Sequence, residues 1–91
     1  LGGRQGFLRR AQRRTLMFVD ASALVAVLTA EPDRAALLAR LDVADAPMTS
    51  PLAIFEAVVA VARKKKQSVA ASELQVHEFL RLSGISTVSL G

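Results

Sequence analysis

The feature that most constrains this chain is an apolar run, MFVDASALVAVL, which spans Met17–Leu28 and contains one acid. Residues 16–19 predict a short buried strand, and Asp20 follows at its carboxyl end. In an open parallel sheet, ligands bind in the crevice outside the carboxyl ends of the strands. Carboxylate and hydroxyl oxygens suit hard cations such as Mg²⁺ or Mn²⁺. Asp20, with the Ser22 hydroxyl two residues later, is therefore a candidate metal site.

A plainer interpretation applies to the same two residues. Aspartate and serine are both favoured at the N-cap of a helix, because their side-chain oxygens accept a hydrogen bond from a backbone N–H in the first turn. An apolar helix is predicted to begin here. The motif alone therefore leaves open whether Asp20 and Ser22 cap this helix or bind a metal.

A second acid, Glu56, lies in a segment that is otherwise apolar from Leu52 to Ala62. Ser50 predicts an N-cap and Pro51 suits the first helical position. A helix that is apolar on every face is expected to be buried. A buried carboxylate must be paired, protonated or bound to a metal. Because no residue one turn away on the helix neutralises Glu56, we expect a metal, a partner arginine or protonation.

These segments together resemble the beginning of PIN-domain ribonucleases, and most closely the VapC toxins of bacterial toxin–antitoxin pairs. The matching stretches are MFVDASALVAVL, the turn at residues 31–33, and TSPLAIFEAVVAVAR at residues 49–63. In that family the first acidic ligand ends the first strand, with Ser or Thr two residues later. The second lies in a helix with a Ser/Thr-Pro-like start. The resemblance covers Met17 to about Leu90.

The resemblance implies a particular site and chemistry. Asp20 and Glu56 would be the catalytic residues and metal ligands, Ser22 would help to bind the cofactor, and the cofactor would be Mg²⁺ or alternatively Mn²⁺. The reaction would be metal-assisted hydrolysis of RNA phosphodiester bonds. The implied partners are an RNA substrate, a cognate VapB-like antitoxin and a second copy of the chain in a homodimer, all in the cytoplasm.

The predicted order of elements is strand, two helices, strand, two helices, strand. This order fits an α/β fold with helices on both faces of a parallel sheet. The resemblance makes it a PIN-like three-layer αβα fold, incomplete at the C-terminal side, because family members continue with two further acids. The predicted helices span residues 21–30, 33–41, 50–63 and 68–82, and the later strands residues 46–49 and 85–90.

Length and composition narrow the possibilities further. The 91 residues, 52% of them hydrophobic, allow one domain with a modest core. The absence of cysteine excludes disulfides, zinc–thiolate sites and thiol nucleophiles. No uncharged apolar run reaches about 18 residues, so we predict no membrane span.

The charge is unevenly distributed. Residues 1–16 contain five arginines and no acid, and we expect a disordered basic tail here, followed by a partial PIN domain at residues 17–91. That second segment has seven basic and eight acidic residues, a formal charge of −1. The tail is interpreted as an upstream extension, a gene-start artefact or passive segment, or as a basic arm for RNA phosphates.

The remaining charged residues have ordinary interpretations. Glu31 and Asp33 are predicted to be solvated or to cap the second helix. The cations at residues 63–66 complement the negative end of a helix dipole, with RNA binding as the alternative. His77 is predicted to be a surface residue.

Three functions therefore compete. The first is a VapC-like ribonuclease, for which this chain holds half of the expected acidic cluster. The second is a PIN remnant without catalysis, which binds the antitoxin through residues 21–41 or dimerises. The third is a basic RNA-binding module led by the arginine tail, with an affinity that depends steeply on salt.

Overall fold

The computed structural model describes residues 16–89, and the elements follow one another in the predicted order. They are β1 (Leu16–Phe18), α1 (Ala21–Leu28), α2 (Arg34–Asp42), β2 (Ala46–Thr49), α3 (Pro51–Lys65), α4 (Val69–Leu82) and β3 (Ser86–Thr87). The strand predicted over residues 85–90 is therefore shorter than expected. Nearly all of the basic tail expected at residues 1–16 lies outside the described residues.

The three strands form a parallel sheet in the order β1-β2-β3. Phe18 is paired with Met48, and Met48 with Ser86. Both crossovers step in the same direction, so right-handed connections place both helix pairs over one face of the sheet. Accordingly, α1, α3 and α4 contact one another, and α2 packs beside α1. The predicted α/β fold is confirmed and is consistent with the PIN-like αβα class, but among residues 16–89 the helices lie over one face of the sheet and not over both faces.

One hydrophobic core joins the sheet to these helices. Its fully enclosed side chains include Leu24 of α1, Val61 of α3 and Val76 of α4. Helix α3 contributes more of the buried hydrophobic residues than any other element, and all of them come from a single side. The buried residues of that side are Ala53, Ile54, Ala57, Val58 and Val61.

The opposite side of α3 is exposed, so the prediction that this helix is buried on every face was wrong. Leu52 and Phe55 are each 66% exposed, Val59 is 40% exposed, and Glu56 is exposed among them. These positions recur every three or four residues and form one stripe of the helix. Within residues 16–89, the neighbouring elements cover only the other side of α3, so burial gives no reason for Glu56 to bind a metal.

The helix boundaries follow local signals in the sequence. The Ser50 hydroxyl accepts a hydrogen bond from Ala53 N–H at 3.1 Å, and Pro51 is the first residue of α3. The Ser68 hydroxyl caps α4 in the same way. Asp33 occupies the N-cap position of α2, but its side chain makes no capping hydrogen bond, so that prediction was right only in position.

Across residues 16–89, no helix has both the length and the apolar character needed to cross a membrane.

Candidate functional site

Two hydrogen bonds join the carboxyl ends of β1 and β2, just before the chain enters the two helices that carry the predicted site residues. Thr49 is completely buried, and its hydroxyl donates to the Val19 carbonyl at 2.7 Å. Val19 N–H in turn donates to the Met48 carbonyl at 2.7 Å. Because Asp20 follows Val19 and Ser50 follows Thr49, α1 and α3 both begin at the same edge of the sheet. This edge is where open parallel sheets bind ligands.

Asp20 is the N-cap of α1, as the plainer interpretation predicted. Its Oδ1 accepts hydrogen bonds from Ala23 N–H at 3.0 Å and from the Ser22 hydroxyl at 2.8 Å. The Ala23 N–H, followed by the Ser22 hydroxyl, lowers the pKa of Asp20 below its usual value, against a smaller opposing effect of partial burial. Asp20 is thus an oriented, ionised carboxylate that remains exposed to solvent. A carboxylate has about four acceptor sites, so capping and metal binding are compatible.

Ser22 has a defined role in this arrangement. Its hydroxyl donates to Asp20, which makes it an orienting group for the carboxylate. Ser22 also lies where two surface grooves meet, because it lines both of them. It is therefore the structural link between the predicted site residues.

The two predicted acids lie on adjoining grooves. One groove of about 560 Å³ lies between α1 and α3, and Ser22 and Glu56 line it; we call it the α1–α3 groove. The second groove, of about 300 Å³, is lined by Asp20 and again by Ser22. Glu56 makes no hydrogen bond or ion pair with any residue from 16 to 89. Ser22 therefore lines one groove with Asp20 and the other with Glu56.

A third acid, Glu31, lines both grooves, where the sequence predicted a solvated or capping residue. Its carboxylate accepts hydrogen bonds from Lys64 Nζ at 2.6 Å and from the Thr29 hydroxyl at 3.2 Å. Lys64 is the main cause of the lowered pKa of Glu31. The pairing joins residues 33 positions apart, so no local pattern predicts it.

The donor chemistry of this edge suits a hard cation. Two accessible carboxylates and a hydroxyl are oxygen ligands of the kind that Mg²⁺ and Mn²⁺ accept. In the described part of the chain, however, no three acidic, histidine or cysteine side chains are grouped closely enough to hold a metal ion. The described residues therefore offer two candidate carboxylate ligands, Asp20 and Glu56, and not a closed site.

Comparison with known protein families matches residues 17–91 to the PIN domain. The chain belongs to the PIN-domain family. PIN domains are generally nucleases and typically depend on a divalent metal. No curated protein matches the chain. Membership agrees with the parallel sheet and with an acid at the carboxyl end of β1, and it places the molecule in a nuclease family.

The single histidine of this PIN domain lies away from both grooves. His77 is exposed on α4, with its Nε2 3.9 Å from the Glu73 carboxylate. The prediction of a surface histidine is confirmed.

Proposed function

We propose that this PIN domain is a metal-dependent ribonuclease of the VapC type. Asp20 and Glu56 would hold Mg²⁺ or Mn²⁺, and Ser22 would keep the Asp20 carboxylate oriented. The domain would occupy residues 17–91, residues 1–16 would form a basic tail, and the protein would act in the cytoplasm under the control of a VapB-like antitoxin.

The observation that carries this proposal is the state of Asp20. Two hydrogen bonds orient Oδ1, the lowered pKa keeps the carboxylate ionised, and solvent still reaches the side chain. A group that only capped its helix would also show these bonds. The carboxyl edge of the sheet and the exposed Glu56 on the adjoining groove are what add a ligand-binding role.

The chemistry of the site divides between metal and protein. A bound divalent cation supplies polarisation of phosphoryl oxygens and a lowered pKa for a water ligand. The protein residues contribute the negative charge that attracts the cation and, through Ser22, the fixed orientation of Asp20. Because Asp20 and Glu56 alone would hold the cation, we expect weak metal binding and low activity.

Cleavage of a labelled single-stranded RNA in Mg²⁺ or Mn²⁺ tests the proposal. Asp20→Asn removes the charge but keeps a good helix cap, and Glu56→Gln keeps the size of the side chain. We expect both variants to lose most of the activity, and Ser22→Ala to lose about 10–100-fold. Glu73→Gln, which removes an exposed acid outside both grooves, is the control and should remain active.

Cleavage that persists in EDTA, or that is equal in Asp20→Asn and the parent, would contradict the proposal.

A second candidate function is supported by the exposed apolar residues of α3. Phe55 and Val59 line the α1–α3 groove, and the exposed Leu52 lies one turn before Phe55. Contiguous exposed apolar surface marks interaction sites. We propose as the alternative that this surface binds the antitoxin or a second copy of the chain without catalysis. Light scattering that reports a dimer, or co-purification with the antitoxin, combined with no metal-dependent cleavage, would favour it.

A further inference from the structure

The four consecutive cations that end α3 do not share one environment. Arg63 and Lys64 line the α1–α3 groove together with Glu56. Lys65 instead donates to the Gln75 side chain of α4 at 3.2 Å. Lys66 is the C-cap of the helix, with a left-handed backbone conformation (φ 52°). Of these four consecutive cations, two therefore line the groove of the candidate site and two lie outside it.

Helical periodicity places Arg63 on the same wall of the groove as Glu56. The two residues are seven positions apart, which is about two turns and about 10 Å along the helix axis. Ala60 lies between them on this wall and lines the groove as well. The small side chain leaves the space between the carboxylate and the guanidinium open. The groove therefore carries an acid at one end and a cation at the other.

The two groove cations differ in their partners. Lys64 is held by the Glu31 carboxylate at 2.6 Å, which offsets its charge. Arg63 is exposed, and its side chain makes no hydrogen bond or ion pair with any residue in the described range. A guanidinium carries five donors in a planar fork that matches phosphate oxygens in a bidentate manner. Among the described residues of this groove, Arg63 is therefore the cation whose hydrogen-bond donors are available to a phosphate.

We propose that Arg63 binds a backbone phosphate of RNA in the α1–α3 groove, and that Glu31 limits the contribution of Lys64 by pairing with it. This inference rests on the proposed RNA substrate. Phosphate contacts fix the register of a nucleic acid without reading its bases. Arg63 would therefore be a positioning residue that aligns the strand with the edge where Asp20 and Glu56 lie.

Fluorescence anisotropy with a labelled single-stranded RNA and the full chain tests the assignment, in EDTA so that no RNA is cut. Arg63→Gln and Lys66→Gln remove one positive charge each from the same helix end, but only the first changes the groove. We expect Arg63→Gln to weaken binding several-fold and to reduce the slope of log affinity against log salt by about 0.7, the value for one phosphate of a single strand. Lys66→Gln should leave both quantities near those of the parent.

Equal weakening by the two variants would overturn the inference, because it would show a response to net charge alone. Binding that is unchanged in Arg63→Gln, or a parent chain that does not bind RNA, would overturn it as well.

Substitution of Glu31 tests the second part of the inference. Glu31→Gln releases Lys64 into the groove, and we expect RNA affinity to rise several-fold. Glu78→Gln is the matched control, because Glu78 is also an exposed acid paired with a cation, Arg81, but lies outside this groove. An equal rise in both variants, or no rise in Glu31→Gln, would contradict the role given to Glu31.

These experiments distinguish a failure of the proposed phosphate contact from a failure of the proposed metal ligands. If Arg63→Gln weakens RNA binding while Asp20→Asn leaves metal-dependent cleavage intact, the assignment of the metal ligands fails and the phosphate contact stands. If Asp20→Asn abolishes cleavage while Arg63→Gln binds RNA like the parent, the proposed ribonuclease stands and the phosphate contact fails.

Discussion

The two sides of helix α3 differ in their surroundings far more than in their composition. On one side, Ile54, Ala57 and Val61 are enclosed by the core. On the other, Leu52 and Phe55 are two-thirds exposed, although they are equally apolar. Hydrophobic residues therefore show where burial is possible, and the packing of neighbouring elements decides where it happens.

The same comparison changes the argument for Glu56. A carboxylate on the buried side would have needed a partner to offset the cost of losing its hydration. On the exposed side it is solvated and needs none. The case for Glu56 as a metal ligand consequently depends on the groove that it lines with Ser22, next to the groove of Asp20, and on family membership.

The largest expected change is in the free energy of unfolding, when one residue on each side of α3 is replaced. Ile54→Ala and Leu52→Ala remove similar volumes from the same helix, two residues apart. We expect Ile54→Ala to lower the free energy of unfolding by about 2–4 kcal/mol, because it leaves a cavity. Leu52→Ala should stay within about 0.5 kcal/mol of the parent. Urea unfolding followed by circular dichroism measures both. Similar losses would show that a further element or a second chain covers Leu52 in solution.

A smaller change in stability, which depends on pH, is expected when Asp20 is replaced. The folded state lowers the pKa of Asp20, so its stabilising contribution is complete above the unfolded value of about 4 and is lost as the pH falls through the folded value. Against Asp20→Asn, the parent should be more stable by about 0.3–1 kcal/mol near neutral pH, and the difference should vanish in acid.

Thermal melting of the two proteins over a pH series measures this difference. Asp33→Asn is the control, since the Asp33 side chain makes no capping hydrogen bond. A difference between parent and Asp20→Asn that stays constant down to strongly acidic pH would show that the charge of Asp20 does not stabilise α1.

The sequence predicted the parts of this fold that depend on near neighbours. The cap at Ser50 needs only a backbone N–H three residues later and forms as expected, and Ser68 caps α4 in the same way. The strand and helix order likewise follows from local periodicity and from turn residues such as Gly84, which has a positive φ of 65°. These signals are contained within a few consecutive residues.

The rest depended on contacts between distant segments. The exposure of Glu56 follows from which elements pack against α3, and the Glu31–Lys64 pair joins a turn to a helix end. Neither the exposure of Glu56 nor this ion pair can be predicted from residue spacing or composition. For the candidate site, Asp20, Ser22 and Glu56 were predicted from the sequence, and the structure adds Glu31 and Arg63 as residues that line the same grooves.

The central claim is that Asp20 and Glu56 bind one divalent cation together. A Mn²⁺ titration of the purified chain by calorimetry and by thermal melting tests it most directly. The account predicts weak binding and a rise in melting temperature in the parent and in Glu73→Gln, an exposed acid outside both grooves, and neither effect in Asp20→Asn or Glu56→Gln. Titration curves that are identical in all four proteins would contradict it.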